Sequence, residues 1–181
     1  MESYEEYREI WKNRTIAYHP IGIIRSDHTE HENTPVQGIF TPSPGLVEVF
    51  PEFSEGLKDI DQFTHLYLLY HFDRATGTAL IRKPFLDDGE ERGIFAIRHF
   101  NRPNPIGLSI VGLTRVSGNV LEVTGVDILD GTPLLDIKPY IRQFDAREGV
   151  KSGWVDEQDL ADIGGMNSTP KRLRERENRQ M

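Results

Sequence analysis

Two stretches of the 181-residue chain carry residue types whose spacing could do chemistry. The first is Arg98-His-Phe-Asn-Arg102-Pro103-Asn104-Pro105-Ile-Gly107-Leu108-Ser109. Two prolines flank Asn104, and each drives the residue before it out of the helical region. The stretch therefore reads as an extended, stiff loop that holds Arg102 and Asn104 in nearly fixed directions. Such a loop suits the gripping of an anion or the polar edge of a base, although a rigid basic surface connection accounts for it equally well. The second stretch is Asp127-Ile-Leu-Asp130-Gly131-Thr132-Pro133-Leu-Leu-Asp136-Ile-Lys138-Pro139-Tyr140. It places Asp127, Asp130 and Asp136 near one end of a sheet, where the plainer account is a tight Asp-Gly-Thr-Pro turn with solvated acids.

Other candidates are weaker. His65 lies inside the apolar run Phe63–Tyr70 and reads as a hydrogen-bonded core histidine. Asp27-His-Thr-Glu-His-Glu32 has the composition of a metal cluster but no spacing of known ligand geometry, so no metal is expected. The chain lacks Gly-x-Gly-x-x-Gly, the phosphate-loop pattern and a Gly-x-Ser-x-Gly elbow, which disfavours a Rossmann site, an ATPase and a serine hydrolase.

The elements that must position these residues are mostly strands. Tyr4, Tyr7, Ile10 and Trp11 recur at helical spacing, which predicts an amphipathic helix over residues 1–14 packed on the body. Proline and glycine then punctuate the chain every ten or so residues and favour short strands. Strands are expected at Thr15–Arg25 (with a break at Pro20-Ile-Gly22), Leu46–Phe50, Gln62–Phe72 (buried on both faces), Gly93–Ile97, Leu108–Val116, Val120–Val126 and Leu134–Ile137. Ser117-Gly-Asn119 supplies a hairpin turn between two of them. Short strands with few helices predict a mainly all-β domain over residues 15–142, a small antiparallel β-barrel. Residues 143–181 read as a helical extension, with one helix from Asp156 to Ile163 and another starting at Thr169-Pro170.

Composition bounds the rest. The net charge is −8 and cysteine is absent, which excludes disulfides and thiolate sites and agrees with a reducing, cytoplasmic setting. The acidic start resembles no signal peptide, and no apolar run approaches the ~20 residues that span a bilayer. The charge is uneven: Lys171–Arg179 holds five basic and two acidic residues, so the acidic total does not exclude a selective contact with RNA.

Phe95-Ala-Ile-Arg98, Arg102-Pro-Asn-Pro-Ile-Gly-Leu-Ser109 and Asp130-Gly-Thr-Pro-Leu-Leu-Asp-Ile-Lys-Pro-Tyr140 closely resemble the signature of the TsaA-like family, which includes the TrmO-type tRNA adenosine N6-methyltransferases. Ile21–Ser26 and Phe63–Tyr70 are similar to its first and central strands. The resemblance covers about residues 15–142; the carboxy-terminal domain of bacterial members has no counterpart here. It implies a small barrel, usually dimeric, that binds S-adenosylmethionine and methylates N6 of threonylcarbamoyl-adenosine beside the anticodon of threonine tRNA. By the same resemblance the cofactor pocket is lined by Pro35, Val36, Gln37, Asp73, Arg74, Arg98, Leu108, Asp130, Gly131 and Thr132. Val36 stands where the family has arginine, and Asp73-Arg74 where it has His-Gln. Arg98 and Asp130 are the expected catalytic groups, Arg102, Asn104, Lys138 and Tyr140 the substrate contacts, and Asp130, Asp136 and His65 the candidate bases, in falling order. A methyltransferase for another RNA or small molecule, a cofactor-binding regulatory module and a plain interaction barrel are the alternatives.

Overall fold

A computed structural model describes residues 3–86 and 89–158. Helix α1 (Tyr4–Trp11) starts at a capping box between Ser3 and Glu6. The barrel strands are β1 (Gly22–Ser26), β2 (Pro44–Val49), β3 (His65–His71), β6 (Ile106–Ser117), β7 (Val120–Thr124) and β8 (Thr132–Pro139). Two short strands, β4 (Ile81–Arg82) and β5 (Arg92–Gly93), form a separate ribbon inside the long β3–β6 connection, and α2 (Arg142–Asp145) follows β8. The six strands close as β1-β2-β7-β6-β3-β8, antiparallel throughout. The mainly all-β barrel expected from the strand spacing is the fold observed.

Alternation builds the core. Ile24, Val47, Val49, Leu66, Leu68, Tyr70, Val111, Leu121, Val123 and Leu134 point inward from successive strands and exclude water. The β6–β7 hairpin turns at Gly118, whose φ of 61° is left-handed.

Several expectations are corrected. The strand β3 is buried on one face only: Leu66, Leu68 and Tyr70 are inside, while Tyr67, Leu69 and His71 are half-buried on the outer surface. A closed barrel has one interior, so even a continuous apolar run must put alternate residues outside. His65 is exposed at the start of β3 and hydrogen-bonds Thr64 at 3.0 Å; it is no core residue. Gly93–Ile97 is a 3-10 turn over Ile94–Ala96, because the buried pair Ile94 and Ile97 is three residues apart, the period of a turn and not of a strand. The first strand begins only at Gly22. Helix α1 stops at Trp11 and buries none of its residues; Tyr4, Tyr7 and Trp11 are exposed, so the expected packing on the body is not made. The chain turns at Gly153–Glu157 in a 3-10 helix where a helix from Asp156 was expected. The rest of that helix, the start at Thr169-Pro170 and the basic tail lie outside the described residues.

Candidate functional site

In an antiparallel barrel every second connection emerges at the same end. The register places the ends of β1, β3 and β7 and the starts of β2, β6 and β8 together: Ser26 pairs with Gly45, His71 with Ile106, Thr124 with Pro44 and Tyr70 with Leu134. The connections 27–43, 72–105 and 125–131, which include the two longest between barrel strands, therefore crowd one mouth. They enclose a cleft of about 780 Å³, within the usual range for small-molecule sites.

Nine of the fourteen expected site residues line this cleft: Pro35, Val36, Gln37, Asp73, Arg74, Arg98, Arg102, Leu108 and Thr132. Arg98 Nη1 donates to Gln37 Oε1, joining two connections across the mouth, and Gln37 Nε2 donates to the Val36 carbonyl at 2.7 Å. Arg102 is differently employed than expected. Its Nη1 donates to the carbonyls of Ile94 (3.1 Å) and Ile97 (2.8 Å), and its guanidinium lies 5.9 Å from the Phe95 ring centroid. Ahead of β6, the Arg98–Pro105 part of the stretch is bent instead of extended. Arg102 N donates to Phe100 O around Asn101 and Ile106 N to Asn104 O around Pro105, each at 2.8 Å, tight i to i+2 bonds of which the second is accommodated by the fixed φ of proline.

The other five do not line the cleft. Asn104 is exposed beside it. Asp130 Oδ1 accepts from Arg25 Nε at 2.8 Å and from Ser26 N at 3.1 Å, and its carbonyl accepts from Arg74 Nη2 at 2.6 Å. The Arg25 hydrogen bond holds the Asp130 carboxyl below the usual carboxylate range. Gly131, with φ 80°, returns its N–H to Ile24 O at 2.9 Å. This turn fastens β8 to β1 and steadies Arg74. Lys138 and Tyr140 are at the opposite mouth, since Lys138 pairs with Tyr67 and Tyr140 N donates to His65 O; the strand direction of β8 carries them away from the cleft. Asp136 goes with them, 2.8 Å from Lys138 Nζ and lining a second cleft with Ile21, Phe53 and Leu57. The three carboxylates are thus not at one end.

Residue typing overlooked two parts of the site. One is an aromatic wall. Phe85 and His99 stack at 4.8 Å and 8°, His99 and Phe100 lie 4.4 Å apart, and His31 stacks on Phe100 at 5.1 Å. Burial, with Arg82 and Arg102 nearby, lowers His99 to about 4. The unfolded chain binds a proton near pH 6.5 that the fold refuses, so stability present above pH 6.5 is lost as the pH falls toward 4. Urea midpoints should decline across that window, and His99→Gln should flatten the decline; an unchanged slope would contradict it. The other part is Tyr70, Ser109 and Asp127. Ser109 Oγ donates to Asp127 Oδ1 at 2.6 Å, Gly38 N donates to Asp127 Oδ2 at 2.9 Å, and Tyr70 Oη lies 3.1 Å from Ser109 Oγ. The inward alternation of Ser109 with the outward Leu108 was the available signal.

Among the described residues no group of His, Asp and Glu is placed to hold a metal ion, and no helix is long and apolar enough to cross a membrane. The family model of the tRNA-methyltransferase O N-terminal domain matches residues 23–146. A Pyrococcus abyssi protein described as a probable S-adenosyl-L-methionine-binding protein is 53% identical over 142 residues, covering 78% of this chain and 77% of its own. The human tRNA (adenine(37)-N6)-methyltransferase is 32% identical over 145 residues, 76% of this chain and 33% of the human one. The crystal structure of TrmO from Pseudomonas aeruginosa superposes with a TM-score of 0.68 at 36% identity, over 81% of this chain and 65% of the solved one. This chain thus spans only part of the human and Pseudomonas proteins. This six-stranded barrel, matched over residues 23–146 by that domain model, belongs to the tRNA-methyltransferase O family.

Proposed function

We propose that this chain transfers the methyl group of S-adenosylmethionine to tRNA, at N6 of threonylcarbamoyl-adenosine beside the anticodon of threonine tRNA. The observation that carries the reading is the convergence of Gln37, Arg98, Leu108 and Thr132 on one cleft at the mouth of the barrel. The donor set fits the cofactor. Phe72, Phe85 and Phe100 offer apolar walls for an adenine, Arg98 and Arg74 can hold a carboxylate, and Asp73 on the rim faces a cationic group. Bound there, S-adenosylmethionine supplies an electrophilic methyl group on a positively charged sulfur.

In this reading Arg98 is oriented by Gln37 and binds the anionic end of the cofactor. Pro35, Val36, Leu108 and Thr132 shape its walls. Asp73 and Arg74 form the rim, with Arg74 steadied by Asp130 and Gly131. Positioning supplies most of the acceleration of such an in-line displacement. Arg102 and Asn104 sit on the loop that meets the RNA. Ile106, Leu108 and Ile110 form an exposed apolar row on the outer face of β6, which suits contact with a second copy, and the homodimer works in the cytoplasm.

Purified protein incubated with labelled S-adenosylmethionine and total tRNA, followed by nucleoside analysis, tests the reading. Label in N6-methylated threonylcarbamoyl-adenosine is expected. Label in another nucleoside overturns the substrate. Cofactor binding without transfer favours a regulatory module, the alternative suggested by relatives described only as cofactor-binding proteins.

A further inference from the structure

Among the described residues, two acids line the cleft, Asp73 and Asp127. Asp73 is on the rim, 3.9 Å from Arg74. Asp127 is deeper, and its two oxygens are gripped from separate elements. Ser109 Oγ, on β6, donates to Oδ1, and Gly38 N, in the 27–43 connection, donates to Oδ2. With its own proton given to Asp127, Ser109 is left to accept from the Tyr70 hydroxyl 3.1 Å away. Ser109 and Tyr70 are 7% and 4% exposed, so Ser109 reaches the carboxylate from the barrel interior with Tyr70 behind it. Backing of this kind holds a carboxylate in one orientation while it faces the cleft. Each oxygen keeps further lone-pair capacity for a ligand.

The proposed reaction needs such a group. Its acceptor nitrogen carries an acyl substituent and is a weak nucleophile until its proton departs. The candidate bases expected from the sequence do not meet that need. His65 is at the opposite mouth, Asp136 lines the second cleft, and Asp130 is tied to Arg25. His99 lines the cleft, but its Nδ1 already accepts from Asn101 N.

The geometry points to Asp127 as the catalytic proton acceptor, positioned by Ser109 and Tyr70. This rests on the function proposed above. As the bond from the acceptor nitrogen to the methyl carbon forms, the carbon–sulfur bond breaks and its electron pair returns to sulfur. The sulfonium becomes a neutral thioether. The N–H proton passes to the Asp127 carboxylate. Burial raises the Asp127 carboxyl above the usual range, which makes it a stronger base than an exposed aspartate, while the bonds from Ser109 and Gly38 and the charge of Arg98 hold it down. Burial also raises the Tyr70 hydroxyl, with Asp127 adding to it, so Tyr70 remains protonated as a donor.

The test compares wild type, Asp127→Asn and Ser109→Ala. S-adenosylmethionine affinity is measured by calorimetry, single-turnover methyl transfer to tRNA is followed across pH, and the Asp127 carboxyl is titrated by carbon-13 resonance. Asp127→Asn should keep the cofactor affinity within about threefold, lose at least about 100-fold in transfer rate and lose the acid limb of the profile. Ser109→Ala removes a bond that favours the ionised form, so the limb and the carbon-13 titration should both move to higher pH. Affinity that falls in step with rate makes Asp127 a cofactor anchor and overturns the inference. An unchanged rate, or a limb that survives in Asp127→Asn, overturns it as well. If Asp127→Asn does not fold, the Ser109→Ala shift decides. Wild type that binds cofactor but transfers no methyl group defeats the underlying function, and this role with it.

Discussion

Gly107→Ala is expected to lower the unfolding free energy by about 3 kcal/mol, the upper part of the range for overpacking a core, and to remove most cleft function with it. Gly107 faces the barrel interior directly across from Tyr70. A β-carbon there would meet Tyr70 Cε2 at 2.1 Å and Cζ at 2.3 Å, distances that require the ring to move. That ring is 4% exposed, lies edge-on to Phe72 at 5.2 Å and carries the hydroxyl beside Ser109. Moving it opens a gap in the core and breaks the hydrogen-bond chain to Asp127 in one step. Gly56→Ala is the control, since nothing lies within 4 Å of the methyl group it would add, and it should leave stability nearly unchanged. Chemical unfolding measures both. Equal midpoints for the two variants would contradict the account of Gly107.

The barrel was legible because its physics is local. Leu46-Val-Glu-Val-Phe50 alternates, Ser117-Gly-Asn119 turns, and both signals survive in the fold. Gly93–Ile97 misled because a turn and a strand share the same apolar letters, and only the partner surface beneath Ile94 and Ile97 chooses the turn. The site was legible in its walls, since the family resemblance supplied Gln37, Arg98 and Leu108. It was less legible in direction. A residue's end of the barrel depends on strand register, which no local pattern states. Lys138 and Asp136 follow the Asp-Gly-Thr turn closely in sequence, yet β8 carries them to the other mouth. Asp130 was singled out for its place in that turn and is tied to Arg25, whereas Asp127, three residues earlier, faces the cleft. The register of β3 against β6 also decides that Ser109 points inward and Leu108 outward.

Arg98→Ala is expected to weaken S-adenosylmethionine binding by about tenfold to a hundredfold, the effect of losing a charge-assisted hydrogen bond of about 1.5–3 kcal/mol. Arg98 is placed by its bond to Gln37 from the opposite connection. The partner amide fixes one edge of a planar fork and leaves the other for an anion. Arg98→Lys keeps the charge but lacks the fork, so it should recover only part of the affinity. The same substitution carries a second consequence with a fixed sign. Arg98 holds the Asp127 carboxyl down by its charge, so its removal must raise Asp127 further. The acid limb of the transfer profile then moves to higher pH in Arg98→Ala and stays near its wild-type position in Arg98→Lys. Calorimetry reads the first effect and the pH profile at saturating cofactor reads the second. A loss of affinity with no movement of the limb would separate Arg98 from Asp127. Movement of the limb in both variants would give the shift to the fork and not to the charge.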